Sequence, residues 1–178
     1  MPLGIRENEL STFLEEYLPR LDEGIRTTFK INETAVLNGF EPYFLKLVRK
    51  SETETSDAQK EIEGLVVFNI DPRIHDRVRL NLHHVSTVAR EDFSEGLKLC
   101  MEFIWRRVYC DEVRVALVHL KNAEGKLVVD TELRDVLKNE QRFKWKTLTN
   151  EDGKRKLIMA VERTAVDLQF ENPRAIVP

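Results

Sequence analysis

The sequence predicts a mixed α/β fold built on a central strand–helix–strand unit. Residues 78–88 form the longest strand candidate, and residues 93–108 follow with a broad apolar stripe of helical period. Residues 113–120 are then apolar enough for a strand in the middle of a sheet. Because strand and helix candidates alternate on both sides of this unit, we expect a mixed, twisted sheet of roughly six to seven strands with helices on both faces.

The N-terminal part predicts a short strand and two helices. Residues 3–7 suit an edge strand, and apolar residues at spacings of three and four predict a helix over residues 10–18, with Ser11 as a cap. Pro19 is expected to end or kink that helix, because proline removes a backbone donor. Residues 21–29 again place apolar side chains on one helical face.

Two more strands are expected before the central unit. The segment 31–39 is ambiguous, whereas residues 40–48 alternate and predict a strand. Residues 62–70 form an apolar, β-branched strand that Asp71 and Pro72 are expected to break. The polar stretch 49–59 between these strands has no apolar anchor, so it predicts a mobile loop.

The C-terminal part predicts a helix and a hairpin. A turn at residues 122–125 precedes a helix that starts at Thr131. Residues 143–148 are expected to pair with residues 157–161 across a turn that contains Asp152–Gly153, a strong hairpin signal.

The organisation predicted is one domain over residues 1–166 and a C-terminal surface tail over residues 167–178. A longer parent protein, of which this domain is one segment, is an alternative.

Composition excludes several classes of protein. The 178 residues carry a formal net charge of −3, which argues against nucleic-acid binding. Lys154, Arg155 and Lys156 are interpreted as a solvated hairpin tip. No apolar run reaches the ~20 residues of a membrane span. Cys100 and Cys110 suit buried free thiols in a reducing compartment, so a cytoplasmic location is expected.

Several short motifs resemble those of the GNAT superfamily of N-acetyltransferases, over nearly the whole chain. Residues 4–10, G-I-R-E-N-E-L, are similar to the opening of that family, and residues 82–88, L-H-H-V-S-T-V, resemble its cofactor-bearing strand. Arg142-Phe143-Lys144 resembles the start of the penultimate strand, with Arg142 where glycine is usual. The chain is thus identified as a divergent or degenerate member.

The resemblance implies an acetyl-CoA pyrophosphate site after the central strand, where the family carries [RQ]-x-x-G-x-[GA]. Glycines there let backbone N–H groups approach phosphate. Anchored on Arg90, this chain has Phe93 and Glu95 at the two small positions, and only a shifted alignment brings Gly96 into the loop. Arg90 and Gly96 are therefore the candidate pyrophosphate contacts, in a loop that lacks most of the expected glycine.

The candidate chemistry lies at the end of the central strand. The resemblance implies that the backbone of Val85, Ser86 and Thr87 pairs with pantetheine. His83 or His84 is a candidate general base for an amine, since an unperturbed imidazole titrates near neutral pH. Adjacent strand positions are expected to face opposite sides, so only one histidine can address a site. The alternative for each is a packed, hydrogen-bonded histidine.

Two functions compete. The tyrosine acid implied by the resemblance is missing between Leu120 and Phe143, and the loop lacks glycine, which favours a non-catalytic module for protein–protein contact. The alternative is an acyl-CoA-dependent N-acyltransferase.

The cofactor is accordingly none, or acetyl-CoA if the protein is active. A protein partner is expected, and no nucleic acid or membrane partner is expected. Trp105 and Trp145, with Phe103 and Phe143, are candidates for a partner surface, and the alternative for Trp105 is a covering element of the chain itself. A zinc site from His83 or His84, His119 and a cysteine lacks the usual ligand spacing.

Overall fold

A computed structural model describes residues 2–26, 29, 42–48, 62–74, 77–115, 119–121, 124, 126–149 and 152–166. The strands are β1 (Pro2–Gly4), β2 (Tyr43–Val48), β3 (Glu63–Ile74), β4 (Arg77–Thr87), β5 (Glu112–Val115), β6 (His119–Lys121), β7 (Leu127–Val129), β8 (Lys144–Thr149) and β9 (Arg155–Glu162). The helices are α1 (Glu7–Tyr17), α2 (Phe93–Arg107), α3 (Thr131–Asn139) and the short α4 (Arg163–Val166). Two 3₁₀ turns cover Leu18–Arg20 and Arg90–Asp92.

The main sheet has the strand order β1-β2-β3-β4-β5-β9-β8 in the described part of the chain. The β4–β5 pair is parallel, whereas the other neighbours are antiparallel. A parallel neighbour needs a crossover connection, and α2 supplies it. The predicted mixed sheet of six to seven strands is confirmed.

Helices cover both faces of this sheet. We call the side packed by α2 and α3 the α2 face. Its core joins helical side chains such as Leu97, Ile104 and Leu137 to strand residues such as Leu80 and Val113. We call the opposite side the α1 face; there α1 and the helical turn at 23–26 pack on strand β3. The prediction of helices on both faces is confirmed, and the central strands are buried on both sides, as their apolar sequences indicated.

The N-terminal elements differ from their predicted caps and bounds. Helix α1 begins at Glu7 with Arg6 at the N-cap position, so Ser11 lies inside the helix and its predicted role as a cap is wrong. Pro19 does end α1, because the 3₁₀ turn starts at Leu18.

Strand β3 runs through the position where a break was expected. It continues to Ile74, and the predicted break at Asp71–Pro72 is wrong. A register shift between Asp71 and Ile74 accommodates the proline, as β-bulges do where a ladder donor is missing.

The strand predicted over residues 113–120 divides into two. Glu112–Val115 belongs to the main sheet, whereas His119–Lys121 pairs with β7 in a separate two-stranded sheet. The pattern of apolar residues did not reveal this division, because a continuous apolar run carries no information about strand partners.

The C-terminal hairpin is confirmed, with β8 and β9 antiparallel and Gly153 at a positive φ of 76°. A second left-handed position is Arg142, with φ 61°, between α3 and β8. This is the position where the resembling family has glycine, the residue that adopts such a φ without strain.

Of the two alternatives for Trp105, a covering element of the chain and a partner surface, the structure shows the covering element. Its side chain is buried, and the Arg163 guanidinium lies 5.0 Å from the ring centroid. Arg163 also donates hydrogen bonds to the carbonyl oxygens of Trp105, Val108 and Cys110, at 3.0, 2.9 and 2.8 Å. A cation at a helix C-terminus satisfies carbonyls that lack intrahelical partners, so this arginine both covers Trp105 and caps α2.

Three predictions fall outside the described residues: the ambiguous segment 31–39, the polar loop 49–59 and the tail 167–178. Among the helices that the structure describes, none combines the length and apolar character that crossing a membrane requires.

Candidate functional site

A β-bulge in strand β4 determines where its two histidines point. Val67 of β3 is paired with His84, but the next residue, Phe68, is paired with Leu82, so His83 is the extra residue of a bulge. Leu82 belongs to the core of the α2 face, whereas the His84 ring contacts Phe29 edge-on at 4.8 Å on the α1 face. A bulge adds one residue and thereby changes which residues share a face beyond it.

His83 therefore lies on the same side as His84. Its Nε2 is hydrogen-bonded to Oδ1 of Asn69, which alternates with the α2-face residues Phe68 and Ile70 and so faces α1. The prediction that the two histidines face opposite sides is wrong. A signal was present in the sequence: apolar side chains occupy even positions to Leu82, and the next one is Val85.

His84 belongs to a buried hydrogen-bonded network rather than to an open site. Its Nε2 lies 2.6 Å from the Ser86 Oγ, which lies 2.9 Å from the Tyr17 hydroxyl. Tyr17 also donates to the Ser86 carbonyl oxygen at 3.2 Å. Ser86 has no exposed surface, and the Phe13 ring stacks on Tyr17 with centroids 5.3 Å apart. The network thus joins strand β4 to helix α1.

Burial holds this network in its uncharged form. It lowers the pKa of His84 to about 3, because an imidazolium there would lose its hydration. Burial also raises the pKa of Tyr17 to about 12, more than the Ser86 hydrogen bond lowers it. A general base works best when its pKa is near the working pH. His84 is therefore poorly suited to accept a proton from an amine.

Two backbone N–H groups of the turn after β4 donate hydrogen bonds to carbonyl oxygens of the same turn. The N–H of Asp92 donates to the Ala89 carbonyl oxygen at 3.0 Å, and the N–H of Phe93 donates to the carbonyl of Arg90. The Thr87 hydroxyl donates to the Ala89 carbonyl oxygen at 2.8 Å. A pyrophosphate loop instead leaves successive N–H groups open to the ligand.

Arg90 is held by carboxylates of the α3 N-terminus. It contacts Asp130 at 3.1 Å and Glu132 at 2.5 Å, and its guanidinium lies 5.0 Å from the Phe93 ring centroid. Asp130 also accepts a hydrogen bond from the Leu133 N–H at 3.1 Å and so caps α3. Sequence analysis did not find these partners, which lie forty (Asp130) and forty-two (Glu132) residues further along the chain.

Gly96 permits close packing of α2 on the sheet. A Cβ at this position would lie 2.6 Å from Cγ2 of Thr87 and 3.5 Å from Cδ1 of Leu47. The space that the missing side chain leaves is thus filled by protein. Together with the occupied donors of the turn, this packing does not fit the pyrophosphate of acetyl-CoA. A cofactor role for Arg90 and Gly96 stays a prediction.

The end of β4 runs past the described pairing with β5. That ladder covers four residue pairs, from Arg79–Glu112 to Leu82–Val115, while β4 stays paired with β3 up to Thr87. Val85 is half-buried toward the α2 face, and Ser86 and Thr87 are buried. Whether their backbone contacts pantetheine stays a prediction.

A second polar region lies on the α1 face and collects basic side chains from four strands and a turn. A cleft of about 490 Å³ is lined by Arg79 of β4, Arg114 of β5, Lys146, Leu148 and Thr149 of β8, Lys154 and Arg155. We call it the basic cleft. Sequence analysis found only the hairpin tip, because the other cations are single residues whose strands become neighbours in the fold.

Glu112 is the buried carboxylate beneath this cleft. It accepts a hydrogen bond from Arg114 and another from Lys146 at 3.2 Å. Burial raises the pKa of Glu112, but the hydrogen bonds and charges of Arg114 and Lys146 outweigh burial and lower it overall. Glu112 is therefore ionised at neutral pH and neutralises part of the positive charge.

Neither cysteine chemistry nor a metal centre is supported by the described part of the chain. Cys100 and Cys110 are free and buried, and burial raises the pKa of both thiols, to about 12 and about 11. Reactive cysteines have lowered pKa values, so neither thiol resembles a nucleophile. The residues described include no group of three or more histidine, cysteine or acidic side chains that could hold a metal ion.

The strand order, the parallel β4–β5 pair and the crossover helix α2 define a GNAT-like mixed α/β fold. No protein-family model matches the sequence, and no curated protein matches it significantly. Among solved structures, the chain is similar to one described as the NatC complex bound to Gag peptide and CoA. The identity is 11%, the TM-score is 0.46, and the likeness covers 91% of this chain and 97% of that one.

Proposed function

We propose that this chain is a degenerate GNAT-fold module that contacts a protein partner and does not catalyse acyl transfer. The observation that carries the proposal is the turn after β4. Its Asp92 and Phe93 N–H groups bond within the turn, and Arg90 is paired with carboxylates of α3. These two N–H groups and the Arg90 guanidinium therefore have partners already, and a pyrophosphate would have to break these contacts to use them.

The charges around this turn add to the proposal. Glu91, Asp92 and Glu95 surround the start of α2, where acids favour the helix dipole but oppose an anionic ligand. Two unit charges of like sign at ~4 Å repel by roughly 4 kcal/mol at an effective dielectric constant of 20. Such a repulsion would lower the affinity for acetyl-CoA by orders of magnitude.

We place the module in the cytoplasm, because both cysteines are free and buried. A cofactor is not required for this function. The partner would be a protein, as expected for a fold that keeps its packing but has lost ligand contacts.

The test is a thermal-shift titration of the full chain with acetyl-CoA, with desulfo-CoA and ADP as controls. A ligand at 100 times its Kd stabilises a folded protein by about 2.7 kcal/mol. We expect no saturable shift up to millimolar acetyl-CoA, either for the natural chain or for a Glu91→Gln/Glu95→Gln variant with less negative charge at the turn. A saturable shift with acetyl-CoA would overturn the proposal.

One observation favours acyl-CoA-dependent N-acyltransfer as a second candidate. His83 is half-buried at the bulge, just past the last described β4–β5 pair, Leu82–Val115. In this function His83 would accept the proton of the acceptor amine. His83→Ala should then lower kcat for an amine substrate with acetyl-CoA and leave the melting temperature nearly unchanged. Equal kcat values for the two proteins would exclude His83 from the chemistry.

A further inference from the structure

We propose that the basic cleft binds an extended acidic peptide segment of the protein partner, held by carboxylate contacts to its arginine and lysine side chains. This inference rests on the proposed function as a protein-contact module and names the chemistry of the contact. The basic cleft lies at the opposite end of strand β4 from the turn that the resemblance associates with acyl-CoA.

The charge of the cleft is the first argument. Five cationic side chains line it, and two of them, Arg114 and Lys146, share the buried carboxylate of Glu112. Arg79 and Arg155 have no ion pair among the described residues. The whole chain is acidic, with a net charge of −3, so this concentration of positive charge is local and complementary to an anion.

Unpaired buried donors are the second argument. Within the described chain, two buried side-chain nitrogen atoms have no hydrogen-bond partner, Arg79 Nε and Asn69 Nδ2. Both residues belong to the α1 face: Asn69 is paired with Asn81, and Arg79 lies two residues from Asn81 on β4. A buried donor without an acceptor costs free energy, and Arg79 lines the cleft, so its Nε favours a ligand that brings an oxygen acceptor.

The shape of the charge pattern indicates an extended ligand. The cations come from β4, β5, β8 and the start of β9, which lie side by side in the order β4-β5-β9-β8. Neighbouring strands are about 4.8 Å apart, so the pattern extends over roughly 14 Å. Alternate side chains of an extended peptide lie about 6.6 Å apart on one side, so roughly three acidic residues match this length.

A peptide fits the lining better than single-stranded nucleic acid. Besides its cations, the cleft is lined by Leu148 and Thr149, and no aromatic ring is among its described lining residues. Single-stranded nucleic acids bind largely by stacking bases on aromatic side chains. The exposed Trp145 is not among the described residues that line the cleft.

The experiment measures binding of a fluorescein-labelled deca-glutamate peptide to the full chain by anisotropy. The test variant is Arg79→Gln/Arg155→Gln. The matched control is Lys98→Gln/Lys138→Gln, which removes the same charge from exposed positions of α2 and α3 across the sheet. We expect the test variant to bind at least about tenfold more weakly, or about 1.4 kcal/mol, and the control to bind like the natural chain.

Two further measurements keep the proposal falsifiable. Arg155→Gln alone changes an exposed residue, so it should weaken binding without altering the melting temperature. Glu112→Gln removes the competing carboxylate and should strengthen binding by severalfold wherever the variant remains folded. No binding, an equal loss in the Lys98→Gln/Lys138→Gln control, or tighter binding of a ten-nucleotide RNA than of the peptide would each overturn the proposal.

The outcome is separable from that of the proposed function. A saturable acetyl-CoA shift together with peptide binding would refute only the non-catalytic role. Absence of both would refute only the acidic peptide as the partner's contact. The two assays use different ligands and variants that share no residue.

Discussion

The buried His84 should make the free energy of unfolding of this protein decrease in mild acid, and substituting His84 should remove this pH dependence. The folded-state pKa of His84 is about 3, well below its ordinary value of 6.5, because the ring is buried against Phe29 and bonded to Ser86. Below about pH 6.5 the unfolded chain binds a proton at this position and the folded chain does not. Stability is therefore lost as the pH falls below 6.5 and is unaffected above it.

The magnitude follows from the size of the shift. Each pKa unit corresponds to about 1.4 kcal/mol, so His84 should remove about 2 kcal/mol from the free energy of unfolding between pH 7 and about pH 5. Urea unfolding of the natural chain and of His84→Gln at both pH values gives the comparison. The variant starts from a lower stability, because its amide packs less well against Phe29, but its loss on acidification should be about 2 kcal/mol smaller. Equal losses in the two proteins would refute the buried, neutral histidine.

Two backbone positions give further predictions. Gly64→Ala should lower the free energy of unfolding in urea by about 1–3 kcal/mol, because the new Cβ would lie 2.6 Å from the Ser86 carbonyl oxygen. The control is Gly4→Ala, which has no atom within 4 Å of the new Cβ and should change the free energy of unfolding by less than about 0.5 kcal/mol. Similar costs at both positions would contradict the packing. Arg142→Gly should stabilise the protein by about 1 kcal/mol, because it removes the strain of φ 61°, and a lower melting temperature would count against that strain.

Most of the fold could be predicted from the sequence because its elements are strongly patterned. The apolar period of residues 93–108 predicted α2, and Asp152–Gly153 predicted the turn between β8 and β9. The predicted ends of the strands were wrong where pairing with other strands determines them. Residues 113–120 separated into strands of two sheets, and Asp71–Pro72 stayed inside β3, because a local pattern does not specify which strands pair with each other.

The candidate site was harder to predict from the sequence, for the same reason. The bulge at His83 changes which residues share a face, and a strict two-residue period cannot represent it. Arg90 was found, but its partner Asp130 is distant in sequence. The cations at Arg79 and Arg114 each alternate with core residues, so the sequence shows that they face away from α2 but not that they lie side by side.

The position of Arg163 has a consequence for the order in which the protein matures during synthesis. Helix α2 ends at Arg107, yet the side chain that satisfies its terminal carbonyl groups and covers Trp105 comes from beyond the last strand. On the ribosome, α2 emerges long before that residue is made. The C-terminal end of the helix must therefore remain hydrated while β5 to β9 are translated, and its final packing is completed only when the main sheet receives β9.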